Sequence, residues 1–280
     1  MHRINFIYNE EQISTYALYP ILVNKSRFKD LGFNFNFYKK ISPKIYDCDY
    51  LIIFSKAIQK LLKKKKSIFN KDDEIIKFLI DAKCRVNKVI WFDTSDSTSV
   101  THFEVMPFID LYLKKQIFVD KTNYQKKFYG GRIFTDYYHK KYSINDEKIF
   151  DQYFPLKKKY FSKLQLSWNV GIGNILETFD EIKVLFRKLF PLNFHSLSNP
   201  NLQETTKKKI IDFFFRGSLN YERKTINFHR ELLIKKLKII QKRLKLNGVS
   251  RNDFFNEDNL NNKIFLKVNG RLSLKEYNYL

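Results

Sequence analysis

The fold class is decided by the stretch Lys88-Val89-Ile90-Trp91-Phe92-Asp93-Thr94-Ser95-Asp96-Ser97-Thr98. Four consecutive apolar residues after the lysine predict a strand that is buried on both faces. The polar residues that follow predict a loop at the carboxyl end of that strand. Such a strand needs neighbours in a parallel sheet, and the chain on either side supplies candidates for them.

The sequence before this stretch alternates predicted strands with predicted helices. Tyr50–Phe54 is another continuous apolar run, and Asp72–Arg85, between the two runs, has apolar residues at helical spacing. Nearer the N-terminus, Ile4–Tyr8 predicts a first strand, Tyr16–Leu31 a helix, and Phe33–Tyr38 a strand with one polar face. Strands that alternate with helices indicate an α/β fold with a parallel sheet covered on both faces.

The strand and helix pattern restarts in the last third of the chain. Ile210–Phe215 predicts a strand, and Lys224–Leu246 predicts a long helix with one apolar face. The stretch 192–206 holds Asn, Ser and Pro with little apolar periodicity, which is typical of a linker. We therefore predict two Rossmann-like α/β lobes, residues 1–191 and 207–280, of which the second is the smaller.

The composition is strongly basic. The chain has 52 Lys and Arg against 29 Asp and Glu, which gives a formal net charge of +23. Such an excess favours anionic partners, namely nucleic acid, anionic lipid or phosphorylated ligands. The lysines are spread along the chain, so a general preference for lysine at solvated positions is an equally good interpretation.

The sequence carries no pattern of secretion or of membrane insertion. The two cysteines, Cys48 and Cys84, form no pair motif, which fits a reducing compartment. Glu10 and Glu11 interrupt the first apolar run too early for a signal peptide, and no stretch approaches the ~18 apolar residues of a membrane helix. We expect a cytoplasmic protein, with peripheral contact to an anionic membrane left open.

Polar residues at the carboxyl ends of the predicted strands are the candidates for a site, because ligands of open parallel sheets bind there. Asn9 and Glu10 follow the first strand, and Asp93, Ser95 and Asp96 follow the strand of the opening stretch. The two aspartates are candidate general bases, and Asn9, Glu10 and Ser95 are candidates to line an acceptor-side cleft. The alternative is that either aspartate caps a turn or a helix.

A second candidate segment is Arg216-Gly217-Ser218, followed by Arg223 at the start of the long helix. Glycine after a strand allows a ligand to approach the backbone, and a helix N-terminus with an arginine suits a phosphate. We predict that these four residues bind a donor phosphate; the alternative is a tight turn with a surface arginine.

No metal site is expected from the sequence. Asp47-Cys48-Asp49 has the form of an Asp-x-Asp metal motif, but it precedes an apolar strand instead of following one. We interpret it as a polar turn. The five histidines show no ligand spacing.

The segment Phe213–Arg223, with the long helix and Leu272–Tyr277 after it, resembles the donor lobe of two-domain (GT-B) glycosyltransferases of the exostosin-like and bacterial surface-polysaccharide type. Trp91–Asp93 and Asp110–Lys115 look like parts of the acceptor lobe of bacterial members. The resemblance implies a nucleotide-sugar as donor substrate, no further cofactor, a metal-independent site between the lobes, and a glycan or lipid-linked acceptor in surface polysaccharide synthesis.

The sequence departs from that pattern at its end. The strand, helix and acidic residue that hold the donor sugar in the family would lie beyond Leu280, so we expect an incomplete donor lobe, weak or absent transferase activity, and a homodimer that covers an apolar edge. The alternative function is that of a non-catalytic basic protein that binds nucleic acid or an anionic membrane.

Overall fold

The computed structural model of the chain describes residues 1–9, 12–62, 74–95, 98–147, 155–168, 213–217, 221–244 and 248–252. The chain divides into two compact units. Unit 1 comprises Met1–Lys127 and Gln152–Pro200, and unit 2 comprises Phe128–Asp151 and Asn201–Leu280. The segment Phe128–Asp151 thus belongs with the later part of the chain, which the sequence did not indicate. The predicted linker at 192–206 lies outside the described residues.

Unit 1 contains a six-stranded parallel sheet in the order β2-β1-β3-β4-β5-β6, within the described ranges. The strands are β1 (His2–Ile7), β2 (Phe33–Tyr38), β3 (Tyr50–Phe54), β4 (Lys88–Asp93), β5 (Leu111–Lys114) and β6 (Leu164–Leu166). The first four, β1 to β4, coincide with the strands that the apolar runs predicted, so the α/β class is confirmed. The order and the uniform direction make this a Rossmann-like sheet.

The helices of unit 1 are α1 (Gln12–Val23), α2 (Lys25–Asp30), α3 (Ser55–Leu61) and α4 (Glu74–Arg85), within the described residues. The single helix predicted over Tyr16–Leu31 is therefore wrong. The chain breaks at Asn24, whose Nδ2 donates to the Pro20 carbonyl at 2.8 Å. Gly32, with φ +87°, follows the end of the second helix.

Both faces of the sheet are covered by apolar side chains, which explains why the central strands are apolar without alternation. One face carries Ile53, Val89 and Trp91, which pack with residues of α4 such as Leu79. The other face carries Phe6, Ile52, Phe54 and Phe92, which pack with Ala17 and Leu18 of α1. Successive residues of each strand alternate between these two clusters, as the two-residue repeat of a strand requires.

Unit 2 contains α5 (Ile133–Tyr142), β7 (Phe213–Gly217), α6 (Lys224–Leu244) and β8 (Gly248–Asn252) in its described part. β7 and β8 pair in parallel, and α6 connects them in the sequence. The three elements therefore form one βαβ unit. Arg216 and Gly217 are the last two residues of β7, so the turn predicted to begin at Arg216 starts too early. No helix in the described part of the chain is long and apolar enough to cross a membrane.

Candidate functional site

The carboxyl edge of the unit 1 sheet brings together the ends of β1, β3, β4 and β5. The chain moves from β1 outward to β2, then crosses back to β3 and continues in the other direction, so the order reverses between β1 and β3. Ligands of open parallel sheets bind at such a reversal, beyond the carboxyl ends of the strands. Asn9, Ser55, Asp93 and Lys114 stand at or beside the ends of these strands.

Asp93 ends β4 and is fully buried, and its hydrogen-bond donors among the described residues all belong to unit 1. Its Oδ1 accepts the Ser95 backbone N–H at 2.8 Å. Its Oδ2 accepts the Tyr112 hydroxyl at 2.7 Å and the Lys114 ammonium at 2.9 Å. The sequence predicted that Asp93 faces a cleft. Asp93 instead lies beneath the surface of the edge, and both of its carboxylate oxygens accept hydrogen bonds.

The charge of Asp93 is stabilised by its partners. Burial raises the pKa of Asp93, but Lys114, His102 and the hydrogen bonds from Lys114 and Tyr112 outweigh burial and bring the pKa to about 2. Burial, together with the neighbouring Asp93 carboxylate, holds the pKa of Tyr112 well above its usual range. Asp93 therefore stays ionised and Tyr112 stays protonated near neutral pH, which suits electrostatic anchoring better than proton exchange.

Lys114 links this centre to the loop after β4. Its side chain is fully buried, and its Nζ donates to the Val100 carbonyl at 2.8 Å as well as to Asp93. The Ser95 carbonyl lies 3.5 Å from the same nitrogen. The ammonium therefore fixes both ends of the loop that carries Asp96, and Asp96 itself lies outside the described residues. Ser95, a predicted lining residue, is buried in this loop.

The ends of β3 and β4 are joined by two hydroxyl groups. The Thr94 backbone N–H donates to Ser55 Oγ at 3.0 Å, and the two side-chain oxygens lie 3.0 Å apart. The Lys56 N–H points to Thr94 Oγ1 at 3.4 Å. These bonds satisfy polar groups that the strands leave open at their ends, and they hold the edge in register.

Asn9 lies just beyond the end of β1. The order of the strands reverses between β1 and its neighbour β3. Its side chain is buried, with 8% of the residue surface exposed, and its Oδ1 accepts the Ser14 hydroxyl at 2.5 Å. Its Nδ2 is buried and has no hydrogen-bond partner among the residues that the structure describes. A buried donor without a partner costs ~1–3 kcal/mol, so this amide is a place where a ligand oxygen would be stabilising. Glu10, predicted beside it, lies outside the described residues.

A histidine and a glutamate that the sequence did not single out lie under the same edge. His102 Nδ1 and Glu104 Oε1 are 3.5 Å apart, and both side chains are 6% exposed. The His102 backbone N–H donates to the Tyr112 hydroxyl at 2.9 Å, which connects the pair to Asp93. Burial raises the pKa of Glu104, and His102 opposes that rise only in part.

In unit 2 the predicted phosphate ligand Arg223 is engaged with its own unit. Its guanidinium Nη2 donates to the Gly130 carbonyl at 2.5 Å, and its Nε lies 3.4 Å from Asp146 Oδ2. The same carboxylate accepts the Thr225 N–H at 2.7 Å and the Thr225 hydroxyl at 2.9 Å. Asp146 thus caps the N-terminus of α6, the anion position that the sequence predicted for a donor phosphate.

Gly130 shows why this contact demands a glycine. Its φ is +60°, and a Cβ atom placed there would overlap Arg223 Nη2. The other predicted donor residues bring less information. Arg216 and Gly217 end β7 beside Arg251 and Asn252 of β8, and Ser218 lies outside the described residues.

The structure brings Asn9, Asp93 and Ser95 to one edge of one sheet, as their positions after predicted strands implied. The sequence reasoning missed Lys114 and Tyr112. Their signal was the two-residue alternation of β5, which places both on one face of a strand beside β4. The role of Asp146 had no local signal, because it depends on a contact across 79 residues.

No family model, no curated protein and no solved structure matches this chain.

Proposed function

We propose that the chain is a glycosyltransferase-like protein of the two-lobed kind, which takes a nucleotide-sugar and a glycan or lipid-linked acceptor. The support from the structure is the Rossmann-like sheet of unit 1 and the βαβ element of unit 2. The observation that carries the proposal is the buried Nδ2 of Asn9, which lies where the strand order reverses and has no hydrogen-bond partner in the described part of the chain. An amide donor there suits a hydroxyl or phosphate oxygen of a ligand.

In this proposal Asp93 and Lys114 position the site and do not touch substrate. Both are fully buried, and their charges are matched within one hydrogen-bonded centre. Their task is to hold Ser95 and Val100, which flank Asp96 in the sequence. Asp96 lies outside the described residues and stays the candidate general base of the proposal.

The donor side of the proposal rests on Arg216, Gly217 and Ser218 and no longer on Arg223. The guanidinium of Arg223 is 13% exposed and already holds Gly130 and Asp146, so it has little capacity for a diphosphate. The carboxyl end of β7 stays the candidate position for donor binding, because ligands of parallel sheets bind beyond the carboxyl ends of the strands.

A thermal-shift screen of the purified chain against nucleoside diphosphates and nucleotide-sugars tests this function, because a ligand of the folded state raises the melting temperature. The matched variants are Asn9→Ala and Asn87→Ala. Asn87 is exposed in the turn before β4, at the opposite edge of the sheet. We expect the shift to fall in Asn9→Ala and to persist in Asn87→Ala. A screen without any shift, or an unchanged shift in Asn9→Ala, would contradict the proposal.

A further inference from the structure

The second half of α6 has a solvent-exposed surface that carries both cationic and apolar side chains. Residues 235–244 carry five positive side chains, Lys235, Lys236, Lys238, Lys242 and Arg243, and no acidic residue. All five are exposed. Among the described residues no carboxylate lies within ion-pair distance of any of them.

Three apolar side chains are also exposed in this half of the helix. Ile239 is 66% exposed, Ile240 is 43% exposed and Leu244 is 59% exposed. Residues four apart are neighbours on a helix surface. Lys235, Ile239 and Arg243 therefore form one row.

Lys236, Ile240 and Leu244 form an adjacent row by the same four-residue step. Each row alternates cationic and aliphatic groups, so the two kinds of side chain are mixed across the face and do not form separate patches.

The first turns of α6 pack against α5. Within unit 2, Phe228 lies against Tyr138 and Tyr142 of α5, with ring centroids 5.4 and 4.9 Å apart. The Tyr138 hydroxyl also lies 2.8 Å from His229 Nδ1. These contacts, with Asp146 at the N-terminus, hold the helix by its first turns.

We propose that the helix face formed by residues 235–244 docks on an anionic membrane surface. The interface of a bilayer offers acyl chains to the aliphatic side chains and lipid phosphates to the cations, because the long side chains of lysine and arginine reach the headgroups from beside inserted apolar groups. The basic excess of the sequence predicted an anionic partner without saying which lysines would meet it. The proposal goes beyond the proposed function and does not depend on it.

Two other occupants fit the face less well. A nucleic-acid backbone would satisfy the cations but has no apolar counterpart for Ile239, Ile240 and Leu244. A second copy of the chain in a two-fold dimer would set the same cationic helix against itself, and like charges across an interface oppose association.

The test is co-sedimentation of the full chain with vesicles of phosphatidylcholine alone or of phosphatidylcholine with phosphatidylglycerol. We expect binding to the anionic vesicles only, and loss of binding as salt rises from about 0.1 M to about 0.5 M, because the ions screen the charges. Each cation near an anionic surface contributes about a fivefold change in affinity, so Lys238→Gln/Lys242→Gln/Arg243→Gln should weaken binding about a hundredfold.

Matched controls separate this face from the net charge and from general hydrophobicity. The triple variant Lys29→Gln/Lys44→Gln/Lys77→Gln removes the same charge from exposed positions of unit 1 and should change the affinity by less than about fivefold. Ile239→Ser/Ile240→Ser should weaken vesicle binding by about tenfold or more, because it removes the inserted aliphatic groups. The control variant Leu31→Ser/Ile80→Ser, at exposed positions of unit 1, should leave vesicle binding unchanged.

Several outcomes would overturn the proposal. One is equal binding to neutral and anionic vesicles, and another is equal loss of binding in the two charge variants. A chain that binds single-stranded RNA but no vesicles, with Ile239→Ser/Ile240→Ser unaffected, would assign the face to nucleic acid. A dimer in sedimentation velocity that Ile239→Ser/Ile240→Ser abolishes, without vesicle binding, would assign it to a second copy.

Discussion

Removal of the Lys114 ammonium should destabilise unit 1 strongly. Lys114→Met keeps most of the side-chain volume but leaves the fully buried Asp93 carboxylate without its cation. Breaking a buried pair from one side typically costs ~3–5 kcal/mol of unfolding free energy. The lowering of the Asp93 pKa from 3.8 to about 2 corresponds to a net stabilisation of roughly 2–3 kcal/mol, which remains after the opposing cost of burial.

Denaturant unfolding followed by tryptophan fluorescence measures this effect, because both tryptophans of the chain, Trp91 and Trp168, belong to unit 1. Trp168 also lies against Phe92, at 4.7 Å between ring centroids, so its emission reports the packing of β4. The exposed Lys77→Met on α4 is the matched control and should stay within ~0.5 kcal/mol of the wild type.

The double variant Asp93→Asn/Lys114→Met should be more stable than Lys114→Met, because it removes the uncompensated charge.

The pH dependence of the stability has a defined sign. The depressed pKa of Asp93 contributes stability in the wild type above about pH 4 that is lost as the pH falls toward about 2. In Lys114→Met the Asp93 carboxylate has lost that stabilisation and is protonated more readily. Mild acid should therefore reduce the difference in free energy of unfolding between the variant and the wild type. An unchanged midpoint in Lys114→Met, or a double variant no better than the single one, would refute the reasoning.

Three further changes test the rest of the described structure. Gly130→Ala should destabilise unit 2 by roughly 1–3 kcal/mol, because φ is +60° and the new Cβ would meet the Arg223 guanidinium. Asp146→Ala should cost ~3 kcal/mol in thermal or denaturant unfolding, since it removes the cap on Thr225 and the partner of the arginine. Glu104→Gln should stabilise unit 1 at about pH 7 and have little effect at about pH 4, because a raised carboxyl pKa disfavours the folded state once the group must ionise.

Each of these changes has a control within the chain. Gly32→Ala changes a glycine with φ +87° but no atom within 4 Å, so it should cost less than Gly130→Ala. Glu147→Ala breaks only an exposed pair with Lys224 and should be nearly neutral. Equal costs for the two glycines, or for Glu147→Ala and Asp146→Ala, would remove the structural reasons given. A Glu104→Gln variant that is less stable at neutral pH would show that the glutamate is needed as a charge.

The strands of unit 1 could be predicted because their sequence pattern reflects burial directly. Tyr50–Phe54 and Phe33–Tyr38 were placed without error, since continuous and alternating apolar runs correspond to strands with two and one covered faces. Helix α3 was missed, because Ser55 begins it immediately after β3 with no polar break. The split between α1 and α2 depends on a side-chain bond to the Pro20 carbonyl, which periodicity does not register.

The site was predicted to the level of a sheet edge and no further. Asp93 was found because an aspartate after a buried strand is conspicuous, but its state depends on Lys114, which in sequence reads as one more solvated lysine. A lysine becomes part of a buried centre only when a neighbouring strand brings a carboxylate to within hydrogen-bond distance, and that requires the register of β4 and β5. Arg223 likewise has the pattern of a phosphate ligand, yet Asp146 already occupies the helix end beside it.

The central claim is that a ligand binds at the carboxyl edge of the sheet through Asn9, and calorimetric titration of the wild type and Asn9→Ala with the best ligand of the screen tests it most directly. One lost hydrogen bond to a buried amide should weaken the affinity about tenfold, while Asn87→Ala should bind as the wild type does. Identical affinities for wild type and Asn9→Ala, or heat of dilution alone with every nucleotide-sugar, would contradict the account.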